Sequence, residues 1–263
     1  MKRKLLLFIP MYNCEKQIKR VLAKVDSGVR EYLTEILVAD NGSADGSVDS
    51  ARLALSGIKG VRTVLIKNKK NYSLGGSLKL AFKYCLDNNF DHCLVLHGDD
   101  QADIGDILPY LRDEKFFSYD CAFGSRFDTR SRLRGYSRTR TLGNKALNLL
   151  TSLAAGRKVT DLGSGLQLYS AAYLKGGSYL RFPDNLSFEV YLLFHCLWTG
   201  AKFVFFPISW TEEDQKSNAR SFRQGLEILF LLLKCLVNPK HLSAPGPSAG
   251  IEYSYDIIYS REP

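Results

Sequence analysis

Residues 94–103 read Leu-Val-Leu-His-Gly-Asp-Asp-Gln-Ala-Asp. An apolar run stops at His97 and three aspartates follow, which predicts a buried strand that ends in carboxylates. Two interpretations fit this pattern. The acids form a metal or phosphate site, since ligands of α/β sheets bind at the carboxyl ends of strands, or they cap the next helix. Asp103 fits the cap, whereas Asp99 and Asp100 stand directly at the strand end and are not explained by capping.

The length and charge of the chain limit its class. A chain of 263 residues is long enough for one large domain with a substantial core, and its net charge of +9 predicts an anionic partner. Nucleic acid, an acidic membrane surface and phosphorylated small molecules all qualify. The six cysteines show no C-x-x-C spacing, which predicts reduced, buried thiols in a cytosolic protein.

Neither a signal peptide nor a spanning helix is expected. The apolar run before Pro10 is short and lacks a small-residue cleavage site, so it predicts a first strand. No stretch reaches the roughly 18 uncharged apolar residues of a membrane span. The nearest approach, residues 228–237, contains Lys234 and predicts a helix that is buried or lies in a membrane interface.

Strand and helix patterns alternate along the chain, which predicts an α/β fold with a parallel sheet. Apolar runs predict strands, and helical spacing of apolar residues predicts helices. The predicted strands are 4–9, 35–39, 61–66, 94–96, 121–123, 166–169 and 203–206, and the predicted helices are 18–25, 47–55, 75–85, 104–111, 142–153, 186–197 and 222–237. The predicted organisation is a catalytic domain (1–220), an apolar helix (221–240) and a flexible tail (241–263).

Loops after the first four predicted strands share one edge of such a sheet and carry chemistry. The first loop offers a backbone kinked by Pro10 and the ring of Tyr12, which can stack on a base. The second offers the carboxylate of Asp40, suited to an imide N–H or a ribose hydroxyl. In the third, Gly75 and Gly76 would let a helix N-terminus approach a phosphate closely.

Several common nucleotide and hydrolase motifs are absent from the sequence. The first strand is not followed by G-x-G-x-x-G, which argues against Rossmann dinucleotide binding, and there is no G-x-x-x-x-G-K-[ST] phosphate loop. The G-x-S-x-G elbow of serine hydrolases is missing too. What remains is a nucleotide bound through an aspartate, a tyrosine and a metal.

These loops resemble family 2 glycosyltransferases of GT-A fold, and within them the branch of dolichyl-phosphate mannose synthase and other polyprenyl-phosphate sugar transferases. The similar motifs occur in the family's order over about residues 5–220. They are Ile-Pro-Met-Tyr-Asn at 9–13, Val-Ala-Asp-Asn-Gly-Ser-Ala-Asp-Gly-Ser at 38–47, Asn-Tyr-Ser-Leu-Gly-Gly at 71–76, Gly-Ser-Arg-Phe at 124–127, Thr-Asp-Leu-Gly-Ser-Gly-Leu-Gln-Leu-Tyr at 160–169, Phe-Glu at 188–189 and Gln-Lys-Ser-Asn at 215–218.

The resemblance implies a GT-A-like fold with a Rossmann-type, mostly parallel central sheet flanked by helices, followed here by a C-terminal amphipathic helix. It also implies inverting transfer of a hexose from a UDP- or GDP-sugar with Mg²⁺ or Mn²⁺. The family's D-x-D metal motif appears as His-Gly-Asp at 97–99, so the predicted metal ligands are Asp99, Gln101 and His97. Imidazole suits Mn²⁺ better than Mg²⁺, and His97 could instead bind the ribose or pack.

Further site residues follow from the same resemblance. Asn41 replaces an acid of the second motif, which leaves Asp40 to recognise the base, and Asn218 replaces a lysine, which leaves Lys216 or Arg220 for the phosphate. The predicted nucleotide-sugar site comprises Pro10, Tyr12, Asp40, Asn41, Gly75, Gly76, Asp99, Gln101, Arg126, Arg138 and Lys216. Arg126 and one of Arg138 or Arg140 would stabilise the leaving diphosphate.

The acceptor decides whether a catalytic base is needed. A polyprenyl phosphate is already anionic, whereas a sugar hydroxyl of a cell-surface polysaccharide needs a carboxylate within reach. The predicted catalytic residues are Asp99, Asp100, Arg126, Asp161 and Glu189. Basic charge and the apolar C-terminal helix favour a lipid phosphate, on the inner face of a membrane to which a cytoplasmic protein binds peripherally.

Two other classes remain as alternatives. A nucleotidyltransferase would use a metal and a nucleotide on an α/β sheet, but its usual glycine-rich, lysine-bearing loop is missing after the first strand. Residues 126–140 carry six arginines and no lysine, and they could form an RNA-binding arm. Because arginine favours bidentate contact with phosphate and the stretch follows a strand, we expect a diphosphate partner rather than nucleic acid.

Overall fold

The central element is a mixed sheet, seen in a computed structural model that describes residues 3–214, 221–238, 242 and 250–263. Its strands are β1 (Leu5–Met11), β2 (Glu35–Asp40), β3 (Arg62–Asn68), β4 (His92–Leu96), β5 (Cys121–Ser125), β7 (Leu166–Ser170), β8 (Phe203–Pro207) and β10 (Tyr255–Arg261). They lie in the order β10-β3-β2-β1-β4-β7-β5-β8. A short parallel pair, β6 (Arg132–Arg134) and β9 (Ser209–Thr211), lies beside it.

Strand β1 shows why the sheet is buried on both faces. Its sequence Leu-Leu-Leu-Phe-Ile is continuously apolar, and successive side chains of a strand point to opposite faces. Leu6 and Phe8 accordingly join one core cluster, while Leu5, Leu7 and Ile9 join the other. Such continuous apolar runs are typical of parallel strands covered by helices on both sides.

Helices cover the two faces. They are α1 (Glu15–Ala23), α2 (Ser27–Arg30), α3 (Ser47–Gly57), α4 (Ser73–Asp87), α5 (Leu108–Leu111), α6 (Arg138–Ala155), α7 (Ala171–Leu174), α8 (Phe188–Thr199) and α9 (Ser221–Val237). Short 3-10 turns occupy Ile104–Ile107, Glu114–Ser118 and Ser178–Arg181. Helices α1 and α3 pack together on one face, while α4, α8 and α9 contribute to the core on the other.

The predicted α/β class with a mostly parallel sheet is confirmed, with two antiparallel insertions. Strand β7 lies antiparallel between β4 and β5, and β10 pairs antiparallel with β3. The prediction of a flexible tail is therefore wrong for residues 255–261. Their sequence Tyr-Asp-Ile-Ile-Tyr-Ser-Arg is rich in aromatic and β-branched residues, which favour a strand at an available sheet edge.

Helix α9 packs on the body of the fold through one face. Ile228, Leu231, Leu232 and Cys235 are buried in the same cluster as the sheet, so residues 221–238 share the core of the preceding segment. The opposite face leaves Phe230 63% exposed. Across the described ranges, none of the helices is both long and apolar enough to cross a membrane.

Candidate active site

A cavity of about 720 Å³ opens at the carboxyl edge of the sheet. Its floor is formed by loops that follow β1, β4 and β5, and its walls by residues of α6, α8 and α9. Seven of the residues predicted from the sequence line it: Tyr12, His97, Asp99, Gln101, Arg126, Arg140 and Glu189. The loops meet here because parallel strands bring their carboxyl ends to one edge.

Asp99 lies where the turn after β4 enters the cavity. One of its carboxylate oxygens accepts a hydrogen bond from the Gln101 backbone N–H at 3.2 Å. Burial raises the pKa of Asp99, although the His97 charge and the Gln101 hydrogen bond act in the opposite direction. Asp103 caps the following 3-10 turn, since its side chain accepts from Gly105 N at 2.9 Å. The prediction that Asp103 is a cap is thus confirmed, and the role of Asp99 as a site acid stays a prediction.

His97 is held on both sides of its ring. Its Nε2 lies 3.1 Å from Glu189 Oε1, and on the other side a Cβ at Gly165 would come within 3.0 Å of Nδ1. Burial lowers the pKa of His97, but the Glu189 carboxylate outweighs it and raises the pKa to about 9. The contact of its Nε2 with a carboxylate favours the interpretation of His97 as a partner of Glu189 rather than a metal ligand.

Arg126 is clamped by Asp161. Its Nε and Nη2 each donate to Asp161 at 2.8 Å, and its backbone N–H donates to the same carboxylate at 2.8 Å. The Asp161 side chain is 1% exposed, so the pair is buried. Burial lowers the pKa of Arg126, and the Asp161 charge more than reverses this shift. Asp161 does not line the cavity, and its contacts make it the anchor of Arg126 instead of a catalytic base.

Of the two arginines predicted as alternatives for the diphosphate, Arg140 lines the cavity and Arg138 does not. Helix α6 begins at residue 138, four residues earlier than expected, and its first turn points Arg138 to solvent and Arg140 into the cavity. The Arg140 guanidinium lies 4.3 Å from the Tyr136 ring centroid and donates to Glu212 at 2.7 Å. Lys216 lies outside the described residues.

Most of the arginine-rich stretch is paired with carboxylates. The ion pairs are Arg126–Asp161, Arg130–Asp128, Arg134–Glu213 and Arg140–Glu212. A basic arm for nucleic acid would leave its guanidinium groups open to phosphates. Arg126 and Arg140 line the cavity, and this favours a role there for these two arginines over an RNA-binding arm, whereas Arg130, Arg132, Arg134 and Arg138 are exposed.

Asn41 has a structural role that the sequence did not predict. Its side-chain oxygen accepts from Asn68 Nδ2 and Tyr72 N, both at 2.9 Å, and its Nδ2 donates to Asn71 and Ser73. Every polar atom of the side chain is used within the protein, so its assignment to nucleotide binding is not supported. Neighbouring Asp40 is fully buried and accepts from the backbone of its own loop, and its role in base recognition stays a prediction.

The Gly75-Gly76 pair does not face the cavity. Gly75 N donates to Asp184 O at 2.7 Å, and a Cβ at Gly75 would lie 2.7 Å from Pro183 O. The two glycines allow another backbone segment to pack closely on α4, so their predicted phosphate contact is wrong. Pro10 likewise acts through its backbone, because its carbonyl accepts from Gly98 N at 3.1 Å.

Gly75→Ala tests this packing role. The added methyl group would overlap backbone atoms that have little room to move, so we expect a loss of about 1–3 kcal/mol in the free energy of unfolding. Gly57→Ala is the matched control, because a Cβ there meets nothing within 4 Å. It makes the same chemical change, including the same restriction of the unfolded chain, without a clash in the folded state. Denaturant titration should show destabilisation only for Gly75→Ala, and an unchanged midpoint would contradict the close approach.

Asp100 turns away from the cavity. Its backbone adopts a φ of 61°, in the left-handed region, and its carboxylate accepts from Arg20 Nε at 2.5 Å and Lys24 Nζ at 2.7 Å. The side chain thus ties α1 to the β4 loop. Its prediction as a catalytic group is not supported, because consecutive acids on a tight turn point in different directions.

Sequence reasoning missed Tyr136, Asn144 and Trp210, which also line the cavity. The Tyr136 hydroxyl accepts from Asn144 Nδ2 at 2.7 Å, and Trp210 stacks with Arg126 at 5.0 Å. An aromatic residue inside an arginine-rich stretch was the available signal. Cys14 lines the cavity too, but burial raises the pKa of its thiol to about 12, so it is no nucleophile at neutral pH.

Comparison with known proteins agrees with this arrangement. Residues 7–177 match the family described as Glycosyl transferase family 2. The chain is 27% identical over 179 residues to UDP-N-acetylglucosamine–dolichyl-phosphate N-acetylglucosaminyltransferase of Methanococcus voltae, covering 64% of this chain and 70% of that protein. It is 26% identical over 212 residues to undecaprenyl-phosphate mannosyltransferase of Micrococcus luteus, covering 80% and 85%.

The fold has a solved counterpart in a mannosyltransferase from Pyrobaculum calidifontis, in complex with GDP-Man and Mn²⁺. The TM-score is 0.61 at 15% identity, covering 90% of this chain and 65% of that one. A protein of Methanocaldococcus jannaschii, 30% identical over 169 residues, is likewise covered over only 65% of its length. The solved structure supports the GT-A fold alone.

Proposed function

The chain belongs to glycosyl transferase family 2, and on that premise we propose that it transfers a hexose with inversion from a nucleoside diphosphate sugar to a polyprenyl phosphate. Two relatives named above act on dolichyl or undecaprenyl phosphate. The cavity itself also supports a phosphate acceptor, because few acidic side chains line it and one of them is paired with a histidine.

The main support for this proposal is that the cavity contains no unpaired carboxylate that could act as a catalytic base beside the predicted metal ligand Asp99. Among the described residues, the acids that line it are Asp99 and Glu189, and Glu189 is paired with His97. The undescribed stretches contain neither Asp nor Glu. A sugar hydroxyl needs a base to become a nucleophile, whereas a phosphate monoester is anionic at neutral pH. The arrangement therefore favours a phosphate acceptor.

The residues present fit a divalent metal held partly by the substrate. Within the described ranges no three His, Cys, Asp or Glu side chains gather as metal ligands. Mg²⁺ in nucleotide enzymes commonly takes one or two carboxylates and completes its shell with phosphates and water. Asp99 provides such a carboxylate, with Gln101 beside it. When bound, the metal would neutralise charge on the leaving diphosphate.

The other cavity groups have roles that follow from their contacts. Tyr12 is 45% exposed at the rim and offers its ring to the base. Arg126 and Arg140 keep positive charge beside the diphosphate, which departs from the sugar C1 as the acceptor phosphate oxygen forms its bond from the opposite face. The ion pair of Glu189 and His97 orients groups near C1 without accepting the acceptor's proton.

A pair of acceptors tests this proposal. The purified protein is incubated with UDP-GlcNAc, UDP-Glc or GDP-Man and with Mg²⁺ or Mn²⁺, after a thermal-shift screen has shown which donor raises the melting temperature. We expect sugar transfer to a polyprenyl phosphate and none to the matching polyprenol. Equal transfer to the polyprenol, or to a sugar hydroxyl, would contradict the phosphate acceptor.

An apolar surface beside the cavity suits a lipid acceptor. Helices α6 and α9 pack against each other and expose Leu142, Leu149, Leu150, Leu153, Phe230, Leu233, Leu236 and Val237. We name these residues the α6–α9 surface. Exposed apolar side chains on helices of a basic protein are typical of peripheral membrane binding, and both helices also contribute to the cavity wall.

Leu233→Glu combined with Leu236→Glu tests this surface. Both side chains are about half exposed, 49% and 48%, so the fold should tolerate the change while two new charges oppose insertion. We expect binding to anionic vesicles to fall at least about tenfold in a sedimentation assay, as charge near acidic lipids costs about 1 kcal/mol per residue. Leu53→Glu, 70% exposed on α3, is the control, and equal losses would argue against a specific surface.

A further inference from the structure

One buried charged group has no part in the chemistry described above. The Lys79 side chain, on α4, is 0% exposed, although lysine is rarely buried without a partner. Its ammonium donates to Asp184 Oδ1 at 2.7 Å and to the Phe182 carbonyl at 2.5 Å. Burying a lysine is costly unless these bonds are made, so the segment 182–184 must lie against α4 in the folded state.

Tyr253 completes the same cluster from the far end of the chain. Its hydroxyl lies 2.7 and 2.9 Å from the two carboxylate oxygens of Asp184, and 3.4 Å from the Lys79 ammonium. The ring packs edge-on to Tyr72 at 5.2 Å and close to Gly76, where a Cβ would come within 3.0 Å of it. We call Lys79, Asp184 and Tyr253 the C-terminal clasp.

The strand that follows anchors Tyr253 to the sheet. Ser254 N donates to the Tyr72 hydroxyl at 3.1 Å, and Lys69 N donates to Ser254 O at 3.0 Å. From residue 255 onward β10 pairs with β3. Tyr253 is therefore held on one side by the sheet edge and on the other by Asp184.

Asp184 leads directly into the cavity wall. Its carbonyl accepts from Gly75 N, and the next residues form the turn that starts α8, where Ser187 N donates to Asn185 Oδ1 at 2.9 Å. Leu186 and Glu189 of this turn and helix line the cavity. Asp184 of the clasp and Glu189 are thus five residues apart in the chain.

We propose that Lys79 and Tyr253 are positioning residues, which fix the start of α8 through Asp184 and so hold Glu189 against His97. The C-terminal segment 253–261 then supports the wall at α8 from behind, since none of its residues is among those that line the cavity. The effect on catalysis rests on the proposed function, whereas the effect on the α8 segment does not. The two can fail separately.

Tyr253→Phe is the variant of choice, because it removes the hydroxyl and keeps the ring that packs on Tyr72. We expect amide hydrogen exchange in residues 183–190 to accelerate at least about tenfold, while exchange in β1 and β4 is unchanged. In the transfer assay kcat should fall about tenfold with the donor KM within about twofold, since only contacts near the reacting carbon are displaced.

Tyr255→Phe is the control. It makes the same chemical change two residues further along, where the ring contacts Tyr84 instead. Unchanged exchange in 183–190 for Tyr253→Phe, or equal acceleration by Tyr255→Phe, would overturn the proposal. If the wild-type protein transfers no sugar, the proposed function fails, and faster exchange confined to Tyr253→Phe still supports the clasp.

Discussion

Asp99→Asn should lower kcat for sugar transfer by about a thousandfold or more, with Mg²⁺ and with Mn²⁺ alike, because electrostatic stabilisation of the leaving group is among the largest catalytic effects. The substitution keeps the size of the side chain and removes its charge. Burial disfavours the charged form of Asp99 and raises its pKa, so a neutral residue at this position should not destabilise the fold. The melting temperature should therefore stay close to that of the wild type.

Asp103→Asn is the matched control in the same loop. Its side chain caps the 3-10 turn at Ile104–Ile107, and asparagine can serve as a cap as well. We expect nearly full activity. Activity of Asp99→Asn comparable to that of Asp103→Asn would remove Asp99 from the metal and diphosphate site, and would direct attention to His97 and Gln101.

Arg126→Ala should cost about 3–5 kcal/mol in the free energy of unfolding, the usual effect of removing one partner from a buried ion pair. The Asp161 carboxylate, whose side chain is 1% exposed, would lose the Arg126 guanidinium that balances its charge. The loss should appear in denaturant titration whether or not a nucleotide sugar is present. Arg126 is thus expected to be structural as well as functional, which a drop in activity alone would conceal.

Two further variants separate these roles. Arg140→Ala removes a guanidinium that stacks on the Tyr136 ring, as that of Arg126 does at 5.5 Å, but is 28% exposed. The change should therefore cost less than about 1 kcal/mol while weakening donor binding. Arg126→Met with Asp161→Leu replaces the pair by apolar side chains and should recover stability. If it also recovers donor affinity, Arg126 takes no part in diphosphate binding.

The sequence was sufficient to bring residues together at the cavity where their position depends on strand order alone. Asp99, Tyr12 and Arg126 each follow a strand, and consecutive parallel strands bring their ends to one edge. It was insufficient where a residue's partner is remote. Lys79 contacts Asp184, 105 residues away, and Tyr253, 174 residues away. Gly75 and Gly76 pack against the same two remote segments, so the local sequence could not distinguish them from glycines that face a phosphate.

The same reason explains the errors within short stretches. Asp99 and Asp100 are adjacent, but Asp100 has a left-handed φ. The Asp99 side chain therefore lies at the cavity while that of Asp100 contacts α1, and the spacing of residues in the sequence does not predict this difference. Asn41 resembles a ligand-binding position, yet its four hydrogen bonds are determined by residues 68–73. For β10 a local signal existed in its β-branched and aromatic residues, but the preceding Ser-Ala-Pro-Gly-Pro-Ser-Ala stretch favoured a linker.

The position of β10 has a consequence for how the chain acquires its shape during synthesis. Strand β3 emerges from the ribosome early and is the outer strand of the growing sheet, yet its neighbour β10 is translated much later, as the 187-residue separation of Lys69 and Asp256 shows. Until then β3 presents an open edge to other nascent chains. Premature termination near residue 250 should therefore yield aggregation rather than a smaller folded protein.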